Sequence, residues 1–195
     1  MKKIILICFA AVTIFGCGVN KQAQQIKALE RCTYRVVSAT NLSVAGTDVK
    51  RLINNQDLNL GSLPALAFGL LRKDVPLRAT LNLEINNPAG NLAAINQFEY
   101  KILINNQELV DGFVDRQVNI AAGQSVVVPV AVNVNVYQFI SNARVMSEIS
   151  DFLHGGDRKG LVTLKIRPSI MVGGALIKYP GYISIDKEFS SKVLL

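Results

Sequence analysis

The 195 residues hold a single histidine, His154, and three cysteines, Cys8, Cys17 and Cys32. A metal site needs several converging donors, and one imidazole with no Cys-x-x-Cys leaves none expected. His154 stands just before Gly155-Gly156, where it reads as the end of a helix, favoured by the dipole when charged. A general base there would need a nucleophile or carboxylate beside it, and the sequence names neither. No Gly-x-Ser-x-Gly elbow, Walker loop or Gly-x-Gly-x-x-Gly follows a strand pattern. Gly173-Gly174 is more simply a turn between strands. Of the carboxylates, Asp111 and Asp115 flank Gly112-Phe113-Val114, Asp48 and Asp57 sit in loops, and Glu84 and Glu99 fall on strand patterns. Nothing fixes any two at the separation a glycosidase requires. The expectation is therefore no catalytic residue, no cofactor and no metal.

Concentrated charge is missing too. The formal charge is +7, yet no basic run exceeds two residues, which is a solvated surface and not a nucleic-acid footprint. A membrane-length apolar run is also absent. Ile4 to Ile14 is apolar for eleven residues behind Lys2-Lys3, too short for a hydrocarbon core of roughly 30 Å, and it reads as a secretory signal. It ends in Ile14-Phe15-Gly16-Cys17, which resembles the lipobox of bacterial lipoproteins, although Phe15 is bulkier than that motif usually carries. The resemblance implies cleavage before Cys17 and acylation of its thiol, which attaches a protein to a membrane without spanning it. Gly18 is not the aspartate that retains such proteins at the inner membrane, so attachment to the outer membrane, facing the periplasm, is expected. Loss of Lys2 and Lys3 with the signal leaves 19 basic against 14 acidic side chains, a charge of +5. With Cys8 removed and Cys17 acylated, Cys32 has no partner and reads as a small buried hydrophobe. The chain divides into a signal peptide at 1–16, a lipidated N-terminus and tether at 17–30, and one domain at 31–195.

Within that domain strands are plentiful. Leu77, Ala79, Leu81, Leu83 and Ile85 alternate with Arg78, Thr80, Asn82, Glu84 and Asn86, the strict period two of a half-buried strand. Asn87-Pro88-Ala89-Gly90 ends it with strong turn residues. Phe98, Tyr100, Ile102 and Ile104 repeat the period, Asn105-Asn106-Gln107 turns the chain, and Glu108 to Asn119 is expected to return it. Val126, Val128, Val130, Val132, Val134 and Val136 share one parity and should be core. Pro129 interrupts the other parity and demands an edge strand or a bulge, while Asn133 and Asn135 read as solvated or laddered. Ser62-Leu63-Pro64 should open a short helix. Tyr137 to His154 has helical period, with Ile140, Ala143, Met146, Ile149, Phe152 and Leu153 on one face, and should form one amphipathic helix closing the domain. Turns every ten to twelve residues predict an antiparallel sandwich of about seven or eight strands with one main and one short helix.

Leu83-Glu84-Ile85-Asn86-Asn87-Pro88, Phe98-Glu99-Tyr100, Ile102-Leu103-Ile104, Leu109-Val110-Asp111-Gly112, Ile120-Ala121-Ala122-Gly123 and the Val126 to Val132 strand, in that order, resemble the water-stress and hypersensitive-response (WHy) domain of type 2 late-embryogenesis-abundant (LEA) proteins. The likeness runs from Pro76 to about Val136. The family's Asn-Pro-Asn turn becomes Asn87-Pro88-Ala89 here, with Gly90 and Asn91 supplying the same backbone freedom. The resemblance implies a fibronectin-III-like or immunoglobulin-like β-sandwich, no catalytic residues, and an interaction or stress-protective module. Asn86, Asn87 and Pro88 are the candidate turn or interaction residues, weighed against a purely structural turn. An alternative function is a carrier of a lipid or other apolar ligand, with Tyr137 to Leu153 and Leu63 to Leu71 covering a groove; simple core packing of Leu63 to Leu71 is the rival explanation. Expected partners are the membrane, through the N-terminal lipid, and an unidentified envelope protein or apolar ligand, with no nucleic acid.

Overall fold

The computed structural model describes residues 24–25, 27–49, 64–153 and 162–185. The expected signal peptide, Cys17, Asp57, Ser62, Leu63 and His154 lie outside the described residues, as do the side chains of Ile149, Phe152 and Leu153. The elements are β1 (Thr33–Val44), β2 (Thr47–Asp48), α1 (Pro64–Arg72), β3 (Pro76–Asn86), β4 (Ala93–Ile95), β5 (Gln97–Ile104), β6 (Gln107–Val114), β7 (Val118–Ile120), β8 (Ser125–Asn135), α2 (Tyr137–Ile140), α3 (Ala143–Leu153), β9 (Val162–Val172), β10 (Ala175–Lys178) and β11 (Ile183–Ile185). A helical turn at 27–31 precedes β1.

All pairings are antiparallel. One sheet runs β2-β1-β3-β8; the other runs β10-β9-β5-β6, with β11 also on β9, and β4 pairs with β7. The alternation predicted for β3 and β8 decides the core: Leu81, Leu83 and Ile85 with Val128, Val130 and Val132 are buried opposite Phe98, Tyr100, Ile102, Leu164 and Ile166. This is the expected mainly-β sandwich. Five of its strands, β2, β4, β7, β10 and β11, have only two to four residues, too few for alternation to reveal in a sequence.

Pro129 sits where its missing donor predicts. Among the described residues β8 is an edge strand, and it pairs with β3 in unbroken register from Ser125 to Asn135. Since Pro129 cannot donate to Asn82, its pair must be a non-hydrogen-bonded one, and alternation turns the N–H and C=O of Val127, Ala131 and Asn133 toward the free edge. The β5–β6 turn is Asn105-Asn106, with φ of 51° and 62°, the positive pair that a two-residue hairpin requires.

Two expectations are corrected. The strand predicted over Glu108 to Asn119 ends at Val114, and Val118 to Ile120 crosses to β4 as a separate pair whose apolar side chains are buried. The helix predicted over Tyr137 to His154 breaks at Ser141-Asn142. There Asn142 Oδ1 accepts from the N–H groups of Arg144 (3.1 Å) and Val145 (3.3 Å), capping α3 as a new helix. Helical periodicity persists across a break when both pieces are amphipathic, so spacing alone does not locate it.

α1 opens at Pro64 and ends in a Schellman turn. The Asp74 N–H reaches Gly69 O at 2.9 Å, the Lys73 N–H reaches Leu70 O at 3.2 Å, and Lys73 takes a φ of 56°. Leu66 of α1 packs with Val75 and Val136 in a second small core at that end of the sandwich, with Leu70 against it, while Phe68 and Leu71 are exposed, so core packing accounts for one face of the segment.

Candidate functional site

β3 delivers the candidate residues to one end of the sandwich, where the chain leaves the strand at Asn87. Asn86 completes the outward parity of β3, and its side chain lies beside Thr33 Oγ1 (3.5 Å) and Ser125 Oγ (3.2 Å). Pro88 is exposed. Asn87 has no exposed surface. Its Nδ2 donates to Asn91 O (2.9 Å), Ile120 O (2.9 Å) and, more weakly, Ala121 O (3.3 Å), while Oδ1 accepts from Ala89 N–H (3.1 Å). Its own N–H donates to Gln124 O (2.9 Å) and its C=O accepts from Gly123 N–H (2.8 Å). One side chain thus ties the Asn87-Pro88 turn to the Ala121-Ala122-Gly123 turn. Buried carbonyls need donors, and an amide offers both donors and an acceptor. The structure therefore brings together the two turns that the sequence offered separately.

Asn135 does similar work at the other end. Expected to be solvated or laddered, it is exposed and also accepts at Oδ1 from Val75 N–H and Tyr137 N–H, both at 3.0 Å, and donates from Nδ2 to Lys73 O at 3.0 Å. It closes the α1–β3 connection onto the start of α2.

The outer face of the second sheet carries a charge cluster that spacing along the chain did not reveal. Glu99 of β5 accepts from Arg167 Nε (3.0 Å) and from its terminal nitrogen, from Lys178 Nζ (2.5 Å) and from Tyr182 Oη (3.3 Å). The Arg167 guanidinium lies 4.8 Å from the Tyr182 ring centroid. The hydrogen bonds from Lys178 and Arg167 lower the Glu99 pKa to about 2. Glu99 and Arg167 both have outward parity in the sequence, but only strand pairing makes them opposite neighbours.

The remaining chemical candidates stay apart. Glu84 pairs with Arg35 across β1 and β3 at 2.6 Å, on the outer face of the sheet opposite the one that carries Glu99. Asp111 lies opposite Lys101, whose ion pair is with Glu108 at 2.7 Å. Cys32 is a free, buried cysteine, and burial pushes its thiol up to about 11, so it stays protonated at neutral pH. Among the described residues no three acidic, histidine or cysteine side chains cluster as metal ligands.

Tyr100 is a residue whose role the sequence did not show. It crosses the core and donates from its hydroxyl to Ala131 O on the free edge of β8 at 2.8 Å. Gly112 lies opposite it on β6, and a Cβ there would come within 2.4 Å of the ring's Cζ. Only glycine leaves that path open. An apolar cavity of about 50 Å³ lies between Leu29 and Pro168, Ile170, Ile177, Tyr179 and Pro180.

No family model and no curated protein matches the chain. Among solved structures, a crystal structure of a protein from Archaeoglobus fulgidus aligns at TM-score 0.31 and 12% identity over 58% of this chain and 87% of its own. The solution structure of a protein described as late embryogenesis abundant aligns at TM-score 0.31 and 12% identity over 93% of this chain and 88% of its own. A β-glucuronidase of glycoside hydrolase family 2 aligns at TM-score 0.28 and 13% identity over 58% of this chain and 12% of its own.

Proposed function

We propose that this chain is a lipid-anchored, extracytoplasmic module of the cell envelope that acts by contact, as an interaction or stress-protective domain, and catalyses no reaction. The observation that carries the reading is Ile14-Phe15-Gly16-Cys17 behind a basic and then apolar leader, the order a lipoprotein signal requires. The polar side chains described above fit a structural role. Asn87 and Asn135 are committed to closing turns, Glu99 to an ion cluster, and Cys32 is protonated at neutral pH. The motif order shared with the WHy domain supports a non-catalytic module. The carrier alternative calls for a ligand cavity, typically roughly 300 Å³ or more, and the cavity beside Leu29, at about 50 Å³, is too small to be that cavity.

The test is the intact mass of the protein extracted mildly from its native membranes, with co-purifying lipid analysed. A mass equal to residues 17–195 plus acyl groups, without further lipid, is the expected result. Stoichiometric additional lipid would favour the carrier, and an unacylated chain beginning elsewhere would overturn the anchor.

A further inference from the structure

The β9–β10 hairpin projects an apolar tip. Met171 and Leu176 face each other across it at 41% exposure each, and Ile177, of opposite parity, is 47% exposed. Large apolar side chains exposed together, on both faces of a short ribbon, mark a contact surface more than scattered ones do. The turn between them, Gly173-Gly174, has φ of 58° and 85°, the tight hairpin geometry.

The tip stands beside the segment by which the chain enters the domain. Leu29, in the helical turn before β1, lines one small cavity with Ile177 and Tyr179, and Tyr34 Oη donates to Leu29 O at 3.1 Å. The chain therefore enters the domain beside β10. Cys17 lies ten residues before Lys27, and ten residues span at most about 36 Å in any conformation. Reaching the opposite end, with α1 and its exposed Phe68 and Leu71, ten strand steps away along β3, or about 33 Å, would take that tether almost fully extended, whereas the hairpin lies beside the point of entry.

We propose that the β9–β10 hairpin, through Met171, Leu176 and Ile177, seats on the lipid bilayer to which Cys17 ties the chain. The inference rests on the lipoprotein reading above and fixes the orientation of the domain within it. A second copy of this chain is the competing occupant, because β10 is an edge strand. Its ladder is only four residues long and is followed by Pro180, two features that discourage strand-to-strand pairing while leaving the side chains free to enter lipid.

The chain contains no tryptophan, so a single introduced one reports its own surroundings. Acylated protein carrying Leu176→Trp, Met171→Trp or Phe68→Trp is reconstituted into phosphatidylethanolamine–phosphatidylglycerol vesicles, with and without brominated acyl chains. Folding of each variant is verified by thermal unfolding, and the two hairpin positions serve as independent replicates should one fail to fold. The expected result is blue-shifted emission, quenched by bromine, at 176 and 171, with water-exposed and unquenched emission at 68. Unquenched emission at the hairpin in an acylated, vesicle-bound protein overturns the orientation and leaves the anchor standing. So does quenching at 68 in its place, or a blue shift at the hairpin that grows with protein concentration without quenching, which would mean a second copy. A mass showing no acyl group brings down anchor and orientation together.

Discussion

At the scale of single residues, the side chain with most at stake is Asn87. Asn87→Ala removes its side-chain hydrogen bonds and leaves the buried Ile120 carbonyl short of a donor, a loss of about 2–4 kcal/mol, read as a lower urea midpoint at unchanged slope. Asn87→Asp should fall at least as far, because a carboxylate keeps the acceptor for Ala89 but turns negative charge toward carbonyl oxygens. Asn86→Ala, on the outer face, should stay within about 0.5 kcal/mol; equal losses at both positions would refute the assignment of the buried role to Asn87. The dipeptide Asn86-Asn87 before Pro88 announced a turn in the sequence. Which asparagine is buried depends on the strand's face and on a second turn more than thirty residues away.

Glu99 gives the residue-scale pH dependence. Its carboxyl titrates near 2 in the fold, below its ordinary 4.5, so the stabilisation is complete above about pH 4.5 and is lost as pH falls toward 2. Glu99→Gln removes it. The difference in urea midpoint between variant and parent should therefore be widest at neutral pH and shrink steadily between pH 4.5 and 2; a difference independent of pH would sink the charge-cluster account.

At the scale of elements, edges and cross-sheet contacts matter most. β8 has a free edge on which Pro129 withholds one donor and Tyr100 occupies the Ala131 carbonyl. Pro129→Val supplies the donor and a β-branched side chain without touching the core face, so the variant should fold but associate through β8 as concentration rises, visible by light scattering. Monomeric behaviour at all concentrations would show that the edge is guarded by something else. Gly112→Ala drives a Cβ into the Tyr100 ring, and overpacking of that kind costs about 1–3 kcal/mol. Because the clash involves ring carbons as well as the hydroxyl, adding Tyr100→Phe should not restore stability, and recovery in the double variant would contradict the geometry. Pro129 announced that β8 lies at an edge or bulges, and its unbroken register with β3 selects the edge. The Tyr100–Gly112 pairing had no such signal, since parity gives the face a residue occupies but not the residue opposite. The break between α2 and α3 escaped for a related reason: Asn142 is a good cap only where the chain turns, and an apolar period of 3.6 runs through it.

At the scale of the whole molecule, the anchor we propose rests on Cys17, upstream of the domain in the sequence. Cys17→Ala removes the thiol proposed for acylation and changes no described residue of the sandwich. The variant should fractionate away from washed membranes yet unfold at the same urea midpoint as the mature domain, and persistent membrane attachment would refute the lipid anchor. The competing weights are unequal. Acyl chains contribute about 0.8 kcal/mol per buried methylene, whereas the hairpin offers only three large apolar side chains. It can therefore orient the domain without retaining it.

Reading along the chain was enough for the class of fold, the core faces of β3 and β8 and the turn at Asn105-Asn106, because alternation and turn preference are local properties; Pro129's missing N–H left an edge or a bulge open, and strand pairing chose the edge. Tertiary structure alone decided that Glu99 meets Arg167 and Lys178, that Asn87 joins two turns, that Tyr100 lies over Gly112 and reaches β8, and that the hairpin stands beside the N-terminal turn. Each of these joins residues that are not neighbours along the chain. Strand order and register, which bring them together, are fixed only when the two sheets bury their apolar faces against each other.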